Sequence, residues 1–203
     1  MIAILDYDMG NLRSVSKALE HVGAKVQITR DPKVVAKADK LVLPGVGAFK
    51  DCIGNLKSYG LVEPILKFIE TGKPFLGICV GMQMLMTESE EGGQHFGLNI
   101  FKGKVLRFPA KYKLKVPHMG WNNISVEKDS RLLKGLKDES FVYFVHSYYV
   151  VPTKKKELAA ASTKYGVKFT AAIEHENVFA TQFHPEKSQD VGLKILKNFV
   201  KVK

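Results

Sequence analysis

The sequence predicts one α/β domain over residues 1–203, with a mixed, mostly parallel central sheet and helices on both faces. Three observations predict it. Over the first 87 residues short apolar runs alternate with stretches of helical periodicity, the pattern of βαβ units and a parallel sheet. From residue 100 the segments turn to strand-like alternation between turn-rich pieces, as antiparallel strands do. The chain then closes with an amphipathic helix.

Residues 2–6 (IAILD) form the first strand, and Leu12, Val15, Leu19 and Val22 recur at helical spacing until Gly23 stops the pattern. Residues 25–29 (KVQIT) give a second strand. Asp31 and Pro32 open a short helix as N-cap and first-turn proline, and residues 40–43 (KLVL) give a third, buried strand. Beyond Pro44-Gly45-Val46-Gly47 one helix runs to about Tyr59 and another from Val62 to Glu70. The strand PFLGI ends at Cys79, and a helix from Val80 to about Thr87 follows directly. FKGKVLRF, KLKVPHM, NNISVE, SFVYFVHSYYVV, ELAAAST, FTAAIEH and NVFATQF read as the later strands. In the last helix Val191, Ile195, Leu196, Phe199 and Val200 share one face and the lysines take the other.

Composition narrows the function classes. Hydrophobic residues make up 45% and charged residues 25%, ordinary globular usage, which excludes disordered, collagen-like and disulfide-scaffold chains. No apolar run approaches the ~18 residues a membrane span needs, and Asp6 and Asp8 interrupt the N-terminus where a signal peptide would be apolar. A soluble, cytoplasmic protein is expected. Cys52 and Cys79 are the only cysteines, so neither a disulfide framework nor a structural zinc site is expected. The net charge is +11, but it comes from 27 Lys against 4 Arg. Arg is the usual bidentate reader of bases and phosphates, so scattered Lys argue for a solvated surface, without a nucleic-acid partner.

The sharpest chemical signal is Gly77-Ile78-Cys79-Val80-Gly81, between an apolar strand and a helix. It has the shape of a nucleophile elbow with cysteine in place of serine: flanking glycines relieve crowding at a strained turn that lifts the side chain from the sheet. A helix N-terminus aimed at the sulfur would favour a charged nucleophile, and the Val80 N–H would meet an oxyanion. The competing reading is a buried structural cysteine. A thiolate nucleophile needs a base, and the base an orienting group. His184 and Glu186, two apart at the end of an apolar strand, supply both if the chain stays extended through Pro185. His21, His95 and His175 read as surface residues.

Gly77 to Gln83 (GICVGMQ) together with Gln182 to Glu186 (QFHPE) resembles the class I glutamine amidotransferases. The resemblance implies Cys79 as the nucleophile that forms a γ-glutamyl thioester and releases ammonia, His184 as general base and acid, and Glu186 as the group that orients His184. No cofactor and no metal is expected. The second oxyanion donor is expected from the Gly-rich loop, at Val46 or Gly47, on the same sheet edge as the elbow. A peptide turned the wrong way there would keep basal activity low until something reoriented it.

Four further segments, DYDMGN from Asp6, PGVG from Pro44, PHMGWN from Pro117 and HSY from His146, together resemble the glutaminase subunits of imidazole glycerol phosphate synthases along essentially the whole chain. That resemblance implies a heterodimer with a (β/α)₈-barrel cyclase subunit, to which ammonia passes for the synthesis of imidazole glycerol phosphate and an aminoimidazole carboxamide ribotide. It also implies that Gln83, His146, Ser147 and Tyr148 bind glutamine, and that Pro117, Met119, Trp121 and Asn122 face the partner. From its residues alone, Trp121, the single tryptophan, is either an interface anchor or a core ring. Cys52 reads as a small apolar filler. The competing functions are a glutaminase of pyridoxal phosphate or anthranilate synthesis, a free-standing γ-glutamyl hydrolase, or a non-catalytic regulator with the same fold.

Overall fold

A computed structural model describes residues 1–203. The first half contains β1 (Ile2–Leu5), α1 (Leu12–His21), β2 (Val26–Thr29), α2 (Pro32–Lys37), β3 (Lys40–Gly45), α3 (Phe49–Ser58), α4 (Val62–Glu70), β4 (Phe75–Cys79) and α5 (Val80–Gln83). Then come β5 (Glu88–Ser89), β6 (His95–Phe96), β7 (Gly103–Arg107), β8 (His118–Val126), β9 (Ser140–His146) and β10 (Tyr148–Pro152). The chain ends through α6 (Lys155–Leu158), β11 (Ala159–Tyr165), β12 (Val167–His175), β13 (Val178–Thr181) and α7 (Gln189–Lys201).

Nine strands form one mixed sheet in the order β2-β1-β3-β4-β13-β12-β11-β8-β9. The pairings from β2 to β13 are parallel and those from β13 to β9 antiparallel. β1 and β4 are buried along their whole length, as apolar runs covered by helices on both faces must be. α1 packs with α7, and α2 with α4. Right-handed crossovers place these two pairs on opposite faces of the sheet. Asp31 caps α2, its carboxylate accepting from the Lys33 N–H at 2.8 Å, and α7 buries Ile195, Leu196 and Phe199. No helix is long and apolar enough to cross a membrane.

Several expectations change. The helix after Cys79 is a single turn, Val80–Gln83, because Leu98, Phe101 and Asn99 donate their N–H groups to the Met84, Leu85 and Met86 carbonyls, engaging them outside any helix. The run SFVYFVHSYYVV breaks at Ser147 into β9 and β10, which lie in different sheets. β10 joins a second, four-stranded sheet in the order β10-β7-β5-β6, which the sequence did not announce; β5 and β6 have two residues each, too few to show a period. KLKVPHM and NNISVE merge into one strand beginning at His118, and Glu157 and Leu158 of ELAAAST belong to α6.

Register sets the site. Gly45 pairs with Cys79 and Thr181 with Ile78, so the carboxyl ends of β3, β4 and β13 finish side by side. The segments leaving these three strands therefore converge on one edge, where open α/β sheets bind ligands.

Candidate active site

Cys79 sits at φ 56°, ψ −110°, a left-handed conformation that costs a non-glycine residue about 1–3 kcal/mol. Packing of the turn against β3 maintains it. A Cβ on Gly81 would stand 2.0 Å from the Leu43 carbonyl oxygen, and one on Gly77 would stand 2.8 Å from the Gly81 oxygen. Only glycine lets these backbones approach so closely. The Cys79 sulfur receives the Gln182 Nε2–H at 3.8 Å and lies 3.9 Å from the Val145 carbonyl oxygen.

His184 reaches the same edge from the segment after β13. Its N–H donates to the Tyr143 carbonyl at 2.9 Å, and the Ser188 hydroxyl donates to its carbonyl at 2.7 Å. The chain does not stay extended through Pro185. Pro185–Lys187 form a 3₁₀ turn, and that turn swings Glu186 back so that Oε1 lies 2.8 Å from His184 Nδ1. Both side chains are almost wholly buried. His184 Nε2 is buried without a hydrogen-bond partner. Burial alone would lower its pKa, but the facing Cys79 sulfur and the Glu186 carboxylate outweigh that and push it up to about 10. The three groups can shuttle a proton: a sulfur nucleophile, an imidazole with one free nitrogen, and a carboxylate that fixes which nitrogen is free.

The loop Pro44–Gly47 borders the sulfur from the other side, and its peptides are held individually. The Tyr7 hydroxyl donates to the Pro44 carbonyl at 2.5 Å, the Val46 N–H donates to the Met9 carbonyl at 2.8 Å, and the Cys52 thiol donates to the Val46 carbonyl at 3.3 Å. Val46 therefore has no N–H to spare for an oxyanion. The Gly47 N–H makes no hydrogen bond to the protein backbone. Cys52, expected as a filler, also holds this loop; burial pushes its thiol up to about 12, which keeps it a proton donor.

A cavity of about 230 Å³ opens over Cys79 and is lined by Gly47, Gln83, Glu91, Pro117, Ser147 and Tyr148 among others. That is below the ~300–1,000 Å³ of sites for drug-sized ligands and suits one amino acid. His146 lies in its wall but turns its ring nitrogens elsewhere, Nδ1 to the Tyr148 carbonyl at 2.8 Å and Nε2 to His118 Nδ1 at 2.9 Å. Gln83 is likewise engaged, its amide donating to the Tyr148 carbonyl at 3.0 Å and to Gln182 Oε1 at 3.1 Å. Two lining or contacting residues escaped sequence reasoning. Glu91 follows a two-residue strand in a Gly-rich turn and carries no sequence signal; its Oε2 accepts the Phe49 N–H at 2.9 Å. Gln182 had a signal, its place two residues before His184.

Trp121 is 46% exposed, so the core alternative fails. It forms an open apolar patch with Met119 and Phe141, its ring edge-on to Tyr143 across the β8–β9 pairing. Asn122 sends its side chain to His118 and the Lys164 carbonyl, and Pro117 reaches the cavity. His21 is exposed; His95 and His175 are half-buried, His175 edge-on to Phe101.

Residues 3–202 match the family model described as glutamine amidotransferase class-I. The chain is 59% identical over 204 residues to the imidazole glycerol phosphate synthase subunit HisH of Syntrophotalea carbinolica, covering 98% of each. It is 57% identical to the subunit of the same name from Geobacter sulfurreducens (100% and 99% covered) and 54% to that of Aquifex aeolicus (97% and 94%). Among solved structures, PurLQS from Thermotoga maritima superimposes with a TM-score of 0.75 at 18% identity, covering 98% of this chain and 96% of that one. The glutaminase domain of CTPS from Trypanosoma brucei gives 0.67 at 16% identity, covering 100% and 94%. These two likenesses concern the fold.

Proposed function

From a chain that belongs to the class I glutamine amidotransferases and, within them, to the HisH subunits of imidazole glycerol phosphate synthase, we propose that Cys79, His184 and Glu186 hydrolyse glutamine and that the ammonia feeds a cyclase subunit in histidine biosynthesis. The observation that carries the site assignment is the Cys79 sulfur, lifted on a strained turn into an amino-acid-sized cavity beside the buried His184–Glu186 pair.

Cys79 attacks the side-chain carboxamide carbon of glutamine, and the carbonyl oxygen takes the negative charge. The Val80 N–H and one donor from the Pro44–Gly47 loop meet that charge. His184 holds the thiol proton and delivers it to the nitrogen, because an amide nitrogen leaves only when protonated. Ammonia departs and a thioester remains. Water, deprotonated by His184, then attacks the thioester and releases glutamate. Glu91 is the carboxylate in the cavity wall that suits the α-ammonium of the substrate, with Gln83, Ser147 and Tyr148 around the rest.

The Val46 N–H bonded to Met9 supports a resting state with an unfinished oxyanion hole, which partner docking completes. Met119, Trp121 and Phe141 supply the apolar surface for a (β/α)₈-barrel cyclase subunit, and the complex works in the cytoplasm. Relatives named as this synthase at 54–59% identity favour it over pyridoxal phosphate or anthranilate synthesis.

The test is Cys79→Ala in the complex with the cyclase subunit. Glutamine-dependent synthesis is expected to vanish while synthesis from added ammonia persists; loss of both in a folded complex overturns the division of labour. Trp121→Ala is expected to weaken the complex by about 5–30-fold, the cost of truncating an interface anchor.

A further inference from the structure

Between β8, the strand that bears the exposed patch on its other face, and the sulfur of Cys79 runs an unbroken line of hydrogen bonds that the triad does not use. From the inside, Gln182 Nε2 donates to Cys79 Sγ at 3.8 Å, and Gln182 Oε1 accepts from Gln83 Nε2 at 3.1 Å. The other Gln83 N–H goes to the Tyr148 carbonyl at 3.0 Å, which also accepts from His146 Nδ1 at 2.8 Å. His146 Nε2 lies 2.9 Å from His118 Nδ1, and His118 Nε2 lies 3.3 Å from Asn122 Nδ2.

Each direction in this line is forced. A carbonyl has no proton, so His146 Nδ1 must carry one, and a neutral imidazole then accepts at Nε2. His118 must therefore donate from Nδ1 and accept from the Asn122 amide at Nε2. Burial holds both rings neutral, pushing His118 down to about 4 and His146 to about 3, and an added proton would set N–H against N–H. His118 is also clamped between Tyr165, 4.1 Å away and 20° from parallel, and Phe144, 4.8 Å and 26°, so its ring does not turn to another partner.

We propose that His118 is a positioning residue for glutamine hydrolysis: through His146 and the Tyr148 carbonyl it fixes the carboxamides of Gln83 and Gln182 so that an N–H faces the Cys79 sulfur, and it ties that orientation to the strand bearing Met119 and Trp121. Without the His118 N–H, His146 is free to move its proton to Nε2. Its Nδ1 lone pair then opposes the Tyr148 carbonyl, which shifts, and Gln83 loses the acceptor that sets its amide. Gln182 is next in line, and its oxygen would repel a thiolate. The proposal rests on the glutaminase reading for its consequence, but not for its tautomers.

Two measurements test it. In the isolated full-length chain labelled with ¹⁵N-histidine, His118 and His146 are both expected to carry their proton on Nδ1 at neutral pH; an Nε2–H form at either overturns the proposal whatever the chain catalyses. In the complex with the cyclase, His118→Phe keeps a packed ring and has no N–H, whereas His118→Asn keeps an N–H near the Nδ1 position and sacrifices packing. The expected result is a glutamine kcat lowered about fivefold to tenfold in His118→Phe, the worth of one buried hydrogen bond, and largely recovered in His118→Asn. An unchanged kcat in His118→Phe, or a loss at least as large in His118→Asn, overturns it. Failure of the glutaminase reading itself would show separately, as absent glutamate release by the unmodified complex.

Discussion

The Val46 N–H donates to the Met9 carbonyl at 2.8 Å, and with the Tyr7 hydroxyl on the Pro44 carbonyl this bond ties the loop beside Cys79 to the segment that follows β1. The carbonyl of Val46 is held on its other side by the Cys52 thiol. Both Val46 bonds favour the resting orientation of the loop over one that offers Val46 to an oxyanion. Cys52→Ala removes the second. Glutamate release by the chain alone is expected to rise about twofold to fivefold, since an S–H···O contact is weak. A steady-state assay without the cyclase checks this, and a fall in release would show that the thiol supports the active loop instead.

Glycine at position 81 is a steric requirement. The Cβ of alanine would stand 2.0 Å from the Leu43 carbonyl, so the elbow must pull away from β3 at about 1–3 kcal/mol. Gly81→Ala is expected to lower the melting temperature by about 5–10 °C and to lose glutamine hydrolysis. Gly54, exposed within α3 with nothing within 4 Å of its would-be Cβ, is the contrast. Gly54→Ala is expected to stabilise by about 0.5–1 kcal/mol, because alanine loses less backbone entropy in a helix. Thermal melts of the two variants side by side decide whether close approach or helix propensity governs each site.

Glu186 fixes the His184 tautomer through a 2.8 Å bond in a buried site. Glu186→Gln keeps the shape and removes the charge. Glutamine-dependent turnover is expected to fall by roughly 10²–10⁴-fold, while ammonia-dependent synthesis by the complex is retained. The Glu186 carboxylate is one of the groups holding His184 high, so its removal also moves the His184 titration downward, which a pH–rate profile reads.

Two buried histidines are expected to make this fold sensitive to acid. Burial lowers His118 to about 4 and His146 to about 3, and in the unfolded chain both return to about 6.5. The unfolded state therefore binds more protons below pH 6.5, and stability is lost as pH falls toward those values. His184 acts in the opposite sense: raised to about 10, its contribution is fully present below pH 6.5 and is lost as pH rises toward 10. Urea midpoints are expected to drop between pH 6.5 and 5, and His118→Phe is expected to reduce that slope by about one proton. An unchanged slope in the variant would place the acid sensitivity elsewhere.

The parallel half of the sheet was legible in the sequence, because its strands are short, largely apolar runs separated by helices of clear period. The sequence also pointed to Cys79, His184 and Glu186, since glycine-flanked cysteine at a strand end and a histidine two residues from a carboxylate are local patterns, and the structure brings the three side chains to one edge. What the sequence did not contain is anything that depends on non-local contact. The helix after Cys79 stops at Gln83 because a loop around residues 97–101 engages the next carbonyls. His184 meets Glu186 through a 3₁₀ turn where alternation along an extended chain would serve as well on paper. Trp121 lies outside the core because β8 pairs at the sheet edge with β9, and Glu91 enters the cavity from a turn with no pattern of its own. Periodicity records which face of an element is apolar; which peptide N–H is spent and which is spare is decided by partners many residues away, and only the tertiary structure brings Met9 to Val46.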